Sequence, residues 1–253
     1  MSTRKIKFIL PVPLPASAIA HFAQQIPQSM RRPDLQLDFA ACRAGATLLD
    51  SEYEATLADA FVLEAGANAE NDGYHAVCSF STSDSGVPAL RSRLKIPVIG
   101  AAQAAFNLAT QLGKRFSVIT TWEPWRRDLV EVVARYGLTE RLASVRSLNI
   151  PPDTHELLSG KEDTVFAALE EISQKAIQED GADVIVIGST TMYQCHRYLE
   201  QALPCPVVNP GLAAYKLCET LIDLGLAHSK IAYPAPNATA DEIFKSIAPF
   251  YPA

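Results

Sequence analysis

The chain has 253 residues, 48% of them hydrophobic and 20% charged, with 22 Lys and Arg against 28 Asp and Glu. That length suits one large α/β domain or two smaller lobes, with a full core and no need of disulfide or metal staples. The net charge of −6 argues against a nucleic-acid partner, because phosphate binding needs a basic face.

The first apolar run, within Ile6–Leu10, follows Arg4-Lys5 and stops at the prolines at 11, 13 and 15. It predicts a strand and is too short for a signal-peptide core or a membrane span, so a cytoplasmic protein is expected. Leu35–Ala41 predicts a second strand, and Glu52–Ala69 carries apolar residues at helical spacing. His75–Phe80 and Pro97–Ile99 predict two more strands. Ala101–Leu112 predicts a helix closed by Gly113, and Phe116–Thr120 the next strand. Pro124–Tyr136 opens with a proline suited to a first helical turn and stops at Gly137. Ala143–Leu148 predicts a strand, and Asp163–Glu179 a helix with Val165, Leu169, Ile172 and Ile177 on one stripe. Asp183–Ile187 and Pro206–Val208 predict the last strands, with helices over Gly211–Leu224 and Ala240–Ile247. The unbroken apolar run Val184-Ile185-Val186-Ile187 suits a strand buried on both faces of a parallel sheet. The alternation as a whole predicts βαβ units, an α/β protein with helices on both sheet faces.

In such sheets ligands bind at the carboxyl ends of the strands. Those ends are rich in hydroxyls here: Ser81, Thr82 and Ser83, then Thr120 and Thr121, then Ser189, Thr190 and Thr191. Small hydroxyl residues before helix N-termini make anion-binding concavities, suited to a carboxylate or an enolate-like intermediate. Caps and turns of any βα junction are the plainer alternative for each residue alone. The matched pair of clusters favours function. No GxGxxG follows the first strand, no GxxxxGK[ST] exists, and Gly188-Ser189 lacks the flanks of a nucleophile elbow. The five histidines, His21, His75, His155, His196 and His228, form no triad or metal pattern. The cysteines Cys42, Cys78, Cys195, Cys205 and Cys218 are scattered, without metal-ligand spacing, and read as buried free thiols. No metal is expected.

These residues resemble the hydantoin/allantoin racemase branch of the Asp/Glu/hydantoin racemase superfamily. Arg115-Phe116-Ser117-Val118-Ile119-Thr120-Thr121 is similar to that branch's RFSVVTT, and Gly181 through Met192 to its GAEVIVLGCAGM. Pro206 through Leu217 resembles VPVIDGVAAAVKL, and Ser81 through Gly86 stands where the branch has CFGDPG. The resemblance implies two similar lobes, residues 1–99 with 210–253 and residues 100–209, each a mostly parallel sheet flanked by helices, with the active site between them. It also implies a homo-oligomer and catalysis without cofactor, in which one thiolate removes the proton α to a carbonyl and a second thiol delivers one from the opposite face. Inversion requires a base and an acid on opposite sides of one carbon. The superfamily's arylmalonate decarboxylase has a Gly-Thr-Ser cluster that Thr82-Ser83 resembles. Tyr53 and Trp122 stand where that enzyme has pocket tyrosines, and Pro11-Val12 where it has a Pro-Pro wall. Core packing is the plainer alternative for Tyr53 and Trp122.

The departure is at the two cysteine positions, which here are Ser81 and Ser189. A thiol titrates near ~8.5 and is readily tuned to thiolate, whereas a serine hydroxyl is far too weak an acid, and neither motif holds a Lys or His to assist it. Ser81 and Ser189 are therefore expected to face the reacting carbon as hydroxyl donors, or through a bound water. Thr82, Ser83, Thr190 and Thr191 would hold the negative oxygens, with Thr121 a further substrate-binding residue. The expected activity is racemisation of a small carboxylate or cyclic amide. Hydrolysis or decarboxylation on the same scaffold, and a non-catalytic binder of small acids, stand as alternatives.

Overall fold

The structure, a computed structural model, describes residues 3–151 and 162–249; His155 lies outside them. The chain divides into two units, residues 1–100 with 214–253 and residues 101–213.

The first unit contains β1 (Arg4–Leu10), α1 (Ala16–Gln24), β2 (Leu35–Ala41), α2 (Glu52–Gly66), β3 (Ala76–Ser79), α3 (Val87–Arg93) and β4 (Val98–Gly100). The strands pair in parallel in the order β2-β1-β3-β4. Central β3 is buried along its whole length, which is why its sequence is a continuous apolar and small run rather than an alternation. On one face of the sheet Ile9, Val77 and Val98 pack with Phe61 and Val62 of α2 and with Val87 and Leu90 of α3. Elsewhere Phe8 stacks on Phe39 at 4.6 Å and meets Phe80 edge-on at 5.1 Å.

The second unit contains α4 (Ala101–Leu112), β5 (Phe116–Thr120), α5 (Glu123–Arg135), β6 (Leu142–Ser147), α6 (Glu162–Asp180), β7 (Val184–Ile187), α7 (Cys195–Ala202) and β8 (Val207–Val208). Its strands are also parallel, in the order β6-β5-β7-β8. Ile119, Ile185 and Ile187 pack with Leu169 of α6 and Leu199 of α7. Each sheet thus repeats one order: second, first, third, fourth strand. Then comes α8 (Pro210–Leu224).

All eight predicted strands form, each within about two residues of its expected limits. Two helices lack a clear signal in sequence. In α1, Pro15 occupies the cap position and its side chain caps nothing. In α3 only seven residues follow a left-handed Gly86. The helix predicted to reach Ala69 ends as α2 at Gly66, where a side chain would strike Leu90 at 2.6 Å. The helix predicted over Ala240–Ile247 is instead a 3-10 helix, Asp241–Ser246, with no buried residue to hold an α-helical stripe against the unit.

The segment after α8 lies along β4, α3 and α2 of the first unit. His228 Nε2 accepts the Val98 N–H at 2.9 Å. Lys230 Nζ donates to the carbonyls of Arg91, Ser92 and Leu94 at 2.6, 2.9 and 2.5 Å, closing the C-terminal end of α3. Arg43 donates to the carbonyls of Phe244 and Ile247. Among the described residues no helix is long and apolar enough to cross a membrane.

Candidate active site

In an order of second, first, third, fourth strand, the chain leaves β1 toward one edge and β3 toward the other. The carboxyl ends of β1 and β3, and of β5 and β7, therefore flank the switch point where open α/β sheets bind ligands. Pro11 and Val12 follow β1, and Ser81, Thr82 and Ser83 follow β3. Thr121 and Trp122 follow β5, and Ser189, Thr190 and Thr191 follow β7. Tyr53 stands apart, in the first turn of α2 after β2. It is 73% exposed, so core packing does not account for it.

The Ser81 cluster is a directed hydroxyl chain. Ser81 Oγ accepts the Ser83 N–H at 3.3 Å and the Ser83 hydroxyl at 3.0 Å. With its proton committed to Ser81, the Ser83 oxygen, 2.9 Å from Ser85 Oγ, accepts from that residue in turn. Two accepted bonds occupy the lone pairs of Ser81, and its own proton is left to be donated. The Ser189 cluster repeats the motif. Ser189 Oγ accepts the Thr191 N–H at 3.2 Å and lies 2.8 Å from Thr191 Oγ1. In each unit the serine binds the residue two places on, through both its amide and its hydroxyl.

The turn after Ser81 is fixed by contacts remote in sequence. Asp84 has φ 51° and is fully buried. Its carboxylate lies against Gly100, where any Cβ would overlap it. Gly86 takes φ 69° and donates its N–H to Asp59 at 2.7 Å. At the end of β5, Thr120 and Thr121 are buried, and neither hydroxyl has a hydrogen-bond partner among the described residues. Gly188 lies beside them: a Cβ there would come within 2.7 Å of the Ile119 carbonyl oxygen and 2.9 Å of Thr120 Cβ.

The missing thiols are not supplied from elsewhere. All five cysteines are free, four buried and Cys205 half-buried. Burial pushes Cys42 and Cys195 up to about 12. Cys78, three residues before Ser81, is raised well above the usual thiol range by burial, by its neighbour Cys218 and by the charge of Asp84. Burial raises Cys205 as well. His196 Nε2 is bonded to the Val207 carbonyl at 3.1 Å, which ties the ring to β8 rather than to Ser189. Among the described residues no group of three or more His, Cys, Asp or Glu could hold a metal ion.

Sequence reasoning overlooked Ser85, Asp84 and Trp125. The first two reach their partners through a left-handed turn. The ring of Trp125 meets that of Trp122 edge-on at 5.8 Å.

Residues 16–218 match the family described as Asp/Glu/Hydantoin racemase. The hydantoin racemase of Paenarthrobacter aurescens is 31% identical over 199 residues, covering 76% of this chain and 81% of that protein. The hydantoin racemase of Pseudomonas sp. (strain NS671) is 30% identical over 204 residues, 81% of each. The allantoin racemase from Klebsiella pneumoniae superposes with a TM-score of 0.84 at 27% identity, covering 94% of this chain and 95% of that one. Parallel sheets of matching order, hydroxyl clusters after equivalent strands and these likenesses lead to one assignment: the chain belongs to the Asp/Glu/hydantoin racemase family of racemases and isomerases.

Proposed function

We propose that this family member acts without a cofactor on a small carboxylate or cyclic amide, and that hydroxyl donors hold the enolate or oxyanion formed beside the reacting carbon. The observation that carries this reading is the direction of the Ser81 chain. An oxygen that already accepts two hydrogen bonds is a poor base, and its remaining proton is left to donate. Ser189, which accepts the Thr191 N–H and shares a hydrogen bond with the Thr191 hydroxyl, is the matching group of the second unit. Racemisation is the activity the family supports, with a water polarised by these hydroxyls moving the proton in place of a thiolate.

A second reading, decarboxylation, is favoured by the same geometry. Loss of CO₂ leaves its electron pair on carbon and needs an anion sink and a proton donor, but no base. Asp84 is the one titratable residue between 81 and 85, and its carboxylate is packed on Gly100.

Incubation of 5-substituted hydantoins, allantoin and α-substituted malonates in D₂O tests both. Deuterium entering the α-carbon with loss of optical purity supports racemisation, and CO₂ release supports decarboxylation. Ser81→Ala and Ser189→Ala should each lower the rate by about 10²–10³. Thermal stabilisation by these compounds with no turnover would overturn the enzyme reading in favour of a binding protein.

A further inference from the structure

We propose that the segment after α8 is a clamp that fixes the Ser81 turn from behind, and that Lys230 and Arg91 are positioning residues for that hydroxyl cluster. The consequence for turnover rests on the reading of Ser81 given above; the coupling itself does not.

The Ser81 turn leans on two elements. Onward in the chain it runs through Gly86 into α3, a rigid rod of seven residues. Across the sheet it leans on β4, because the buried Asp84 carboxylate packs on Gly100, where an added Cβ would lie 2.3 Å from it. The serines are joined to these anchors. The Ser83 hydroxyl donates to Ser81 at 3.0 Å and lies 2.9 Å from Ser85 Oγ, while the Ser85 carbonyl accepts the Ser79 hydroxyl of β3 at 2.8 Å. A shift of α3 or β4 therefore reaches the serines through close-packed contacts with little slack. The C-terminal segment grips both elements at their other ends. Lys230 Nζ donates to three carbonyls at the end of α3, Ser92 Oγ donates to the Pro234 carbonyl, and Arg93 pairs with Asp241 at 2.9 Å. On the edge strand β4, His228 accepts the Val98 N–H and Arg91 Nε donates to the Val98 carbonyl at 3.1 Å. Two side chains thus take the ladder positions that a further strand would occupy. Arg91 ties the parts together: it is buried on α3, bonds β4, and lies 5.5 Å from the Tyr233 ring of the segment, with Nη1 donating to the Tyr233 hydroxyl at 3.3 Å. Apolar burial contributes little to the attachment, since Ile231 is 97% exposed and Ile243 is exposed as well. A charged donor satisfying three carbonyls at once therefore carries a large share of it.

Hydrogen exchange read at single amides tests the clamp on the full chain with no ligand. Lys230→Met keeps the aliphatic stem and removes the donors. It should speed exchange about tenfold at the amides of Asp84, Gly86 and Val87, and leave Thr191 of the second unit within about twofold. Tyr233→Leu, a milder break on the half-exposed part of the segment, should act in the same direction, and Lys230→Arg should restore most of the wild-type protection. Faster exchange confined to residues 88–98 and 226–247 would overturn the clamp. So would a rise shared equally by Ile6 and Phe8 of β1, which is plain loss of stability. Racemisation of 5-methylhydantoin and decarboxylation of phenylmalonate, followed with the same variants, separate the clamp from the proposed function. A kcat about tenfold lower in Lys230→Met at an unchanged KM supports both. If exchange at 84–87 rises yet neither compound is turned over, or turnover is indifferent to Ser81→Ala, the clamp stands and the proposed function falls. If exchange at 84–87 is unchanged while Ser81→Ala abolishes turnover, the clamp falls and the proposed function stands.

Discussion

At the scale of single residues, a proton's direction matters more than the chemical kind of the group. Ser81 and Ser189 follow equivalent strands of the two units; Ser81 Oγ accepts the Ser83 hydroxyl, and Ser189 Oγ shares a hydrogen bond with Thr191 Oγ1. Replacing both together, Ser81→Cys with Ser189→Cys, should restore groups that ionise near neutral pH. Racemisation of a hydantoin, followed by polarimetry, should then rise by about 10²–10⁴ over the wild-type rate. A doubly substituted protein no faster than the parent would show that these positions do not face the reacting carbon. Gly100 makes a separate prediction. Gly100→Ala drives a methyl into the buried Asp84 carboxylate, and should cost about 1–3 kcal/mol of stability in denaturant unfolding. The serines were legible in the sequence because each follows a buried apolar strand, a purely local signal. The contact between Asp84 and Gly100 was not, since nothing in either neighbourhood names a partner sixteen places away.

At the scale of elements, two short segments are held by side chains rather than by sheet or helix ladders. Between β2 and α2, the Glu54 carboxylate accepts the N–H groups of Thr47, Leu48 and Leu49 at 3.0, 2.7 and 2.5 Å. They hold Leu49 at φ 56°, a left-handed conformation that leucine rarely adopts. Glu54→Ala should free this loop, with faster amide exchange at 47–49 and a loss of about 1–3 kcal/mol. The segment after α8 depends on a neutral His228, whose Nε2 must accept from Val98. Burial, with the charges of Arg91 and Lys230, lowers that ring from its ordinary 6.5 to about 4. The unfolded chain therefore takes the proton first. The stability contributed is present above pH 6.5 and is lost as the pH falls toward 4. With the ring half in solvent the loss is about 1–2 kcal/mol, read as a drop in melting temperature between pH 7 and pH 4.5. His228→Gln, which keeps an acceptor without the titration, should flatten that dependence. This segment was illegible in sequence because it packs by backbone carbonyls and single polar bonds, and these leave no hydrophobic period.

At the scale of the whole molecule, the strand alternation was readable because parallel strands buried on both faces must be nearly all apolar, as in Val184–Ile187. The repeated strand order was only hinted at, since the two units share topology and one serine motif but little else in sequence. The distribution of sulfur makes a prediction for the entire chain. With four thiols buried and Cys42 and Cys195 pushed up to about 12, iodoacetamide at pH 7.5 should modify the half-buried Cys205 first. Ligand binding and any turnover should survive, and peptide mass spectrometry identifies the modified site. Inactivation that tracks Cys78 would contradict a thiol-free mechanism.

The division of the chain also bears on how the protein is made. Residues 101–213 are one uninterrupted stretch, whereas the other unit draws on residues 1–100 and 214–253. During translation the inner stretch is complete while the flanking unit still lacks most of α8 and the segment that covers β4. A ribosome stalled just after residue 213 would thus display a first sheet whose β4 edge still lacks its His228 contact. Nascent chains arrested there are the ones on which a chaperone would act.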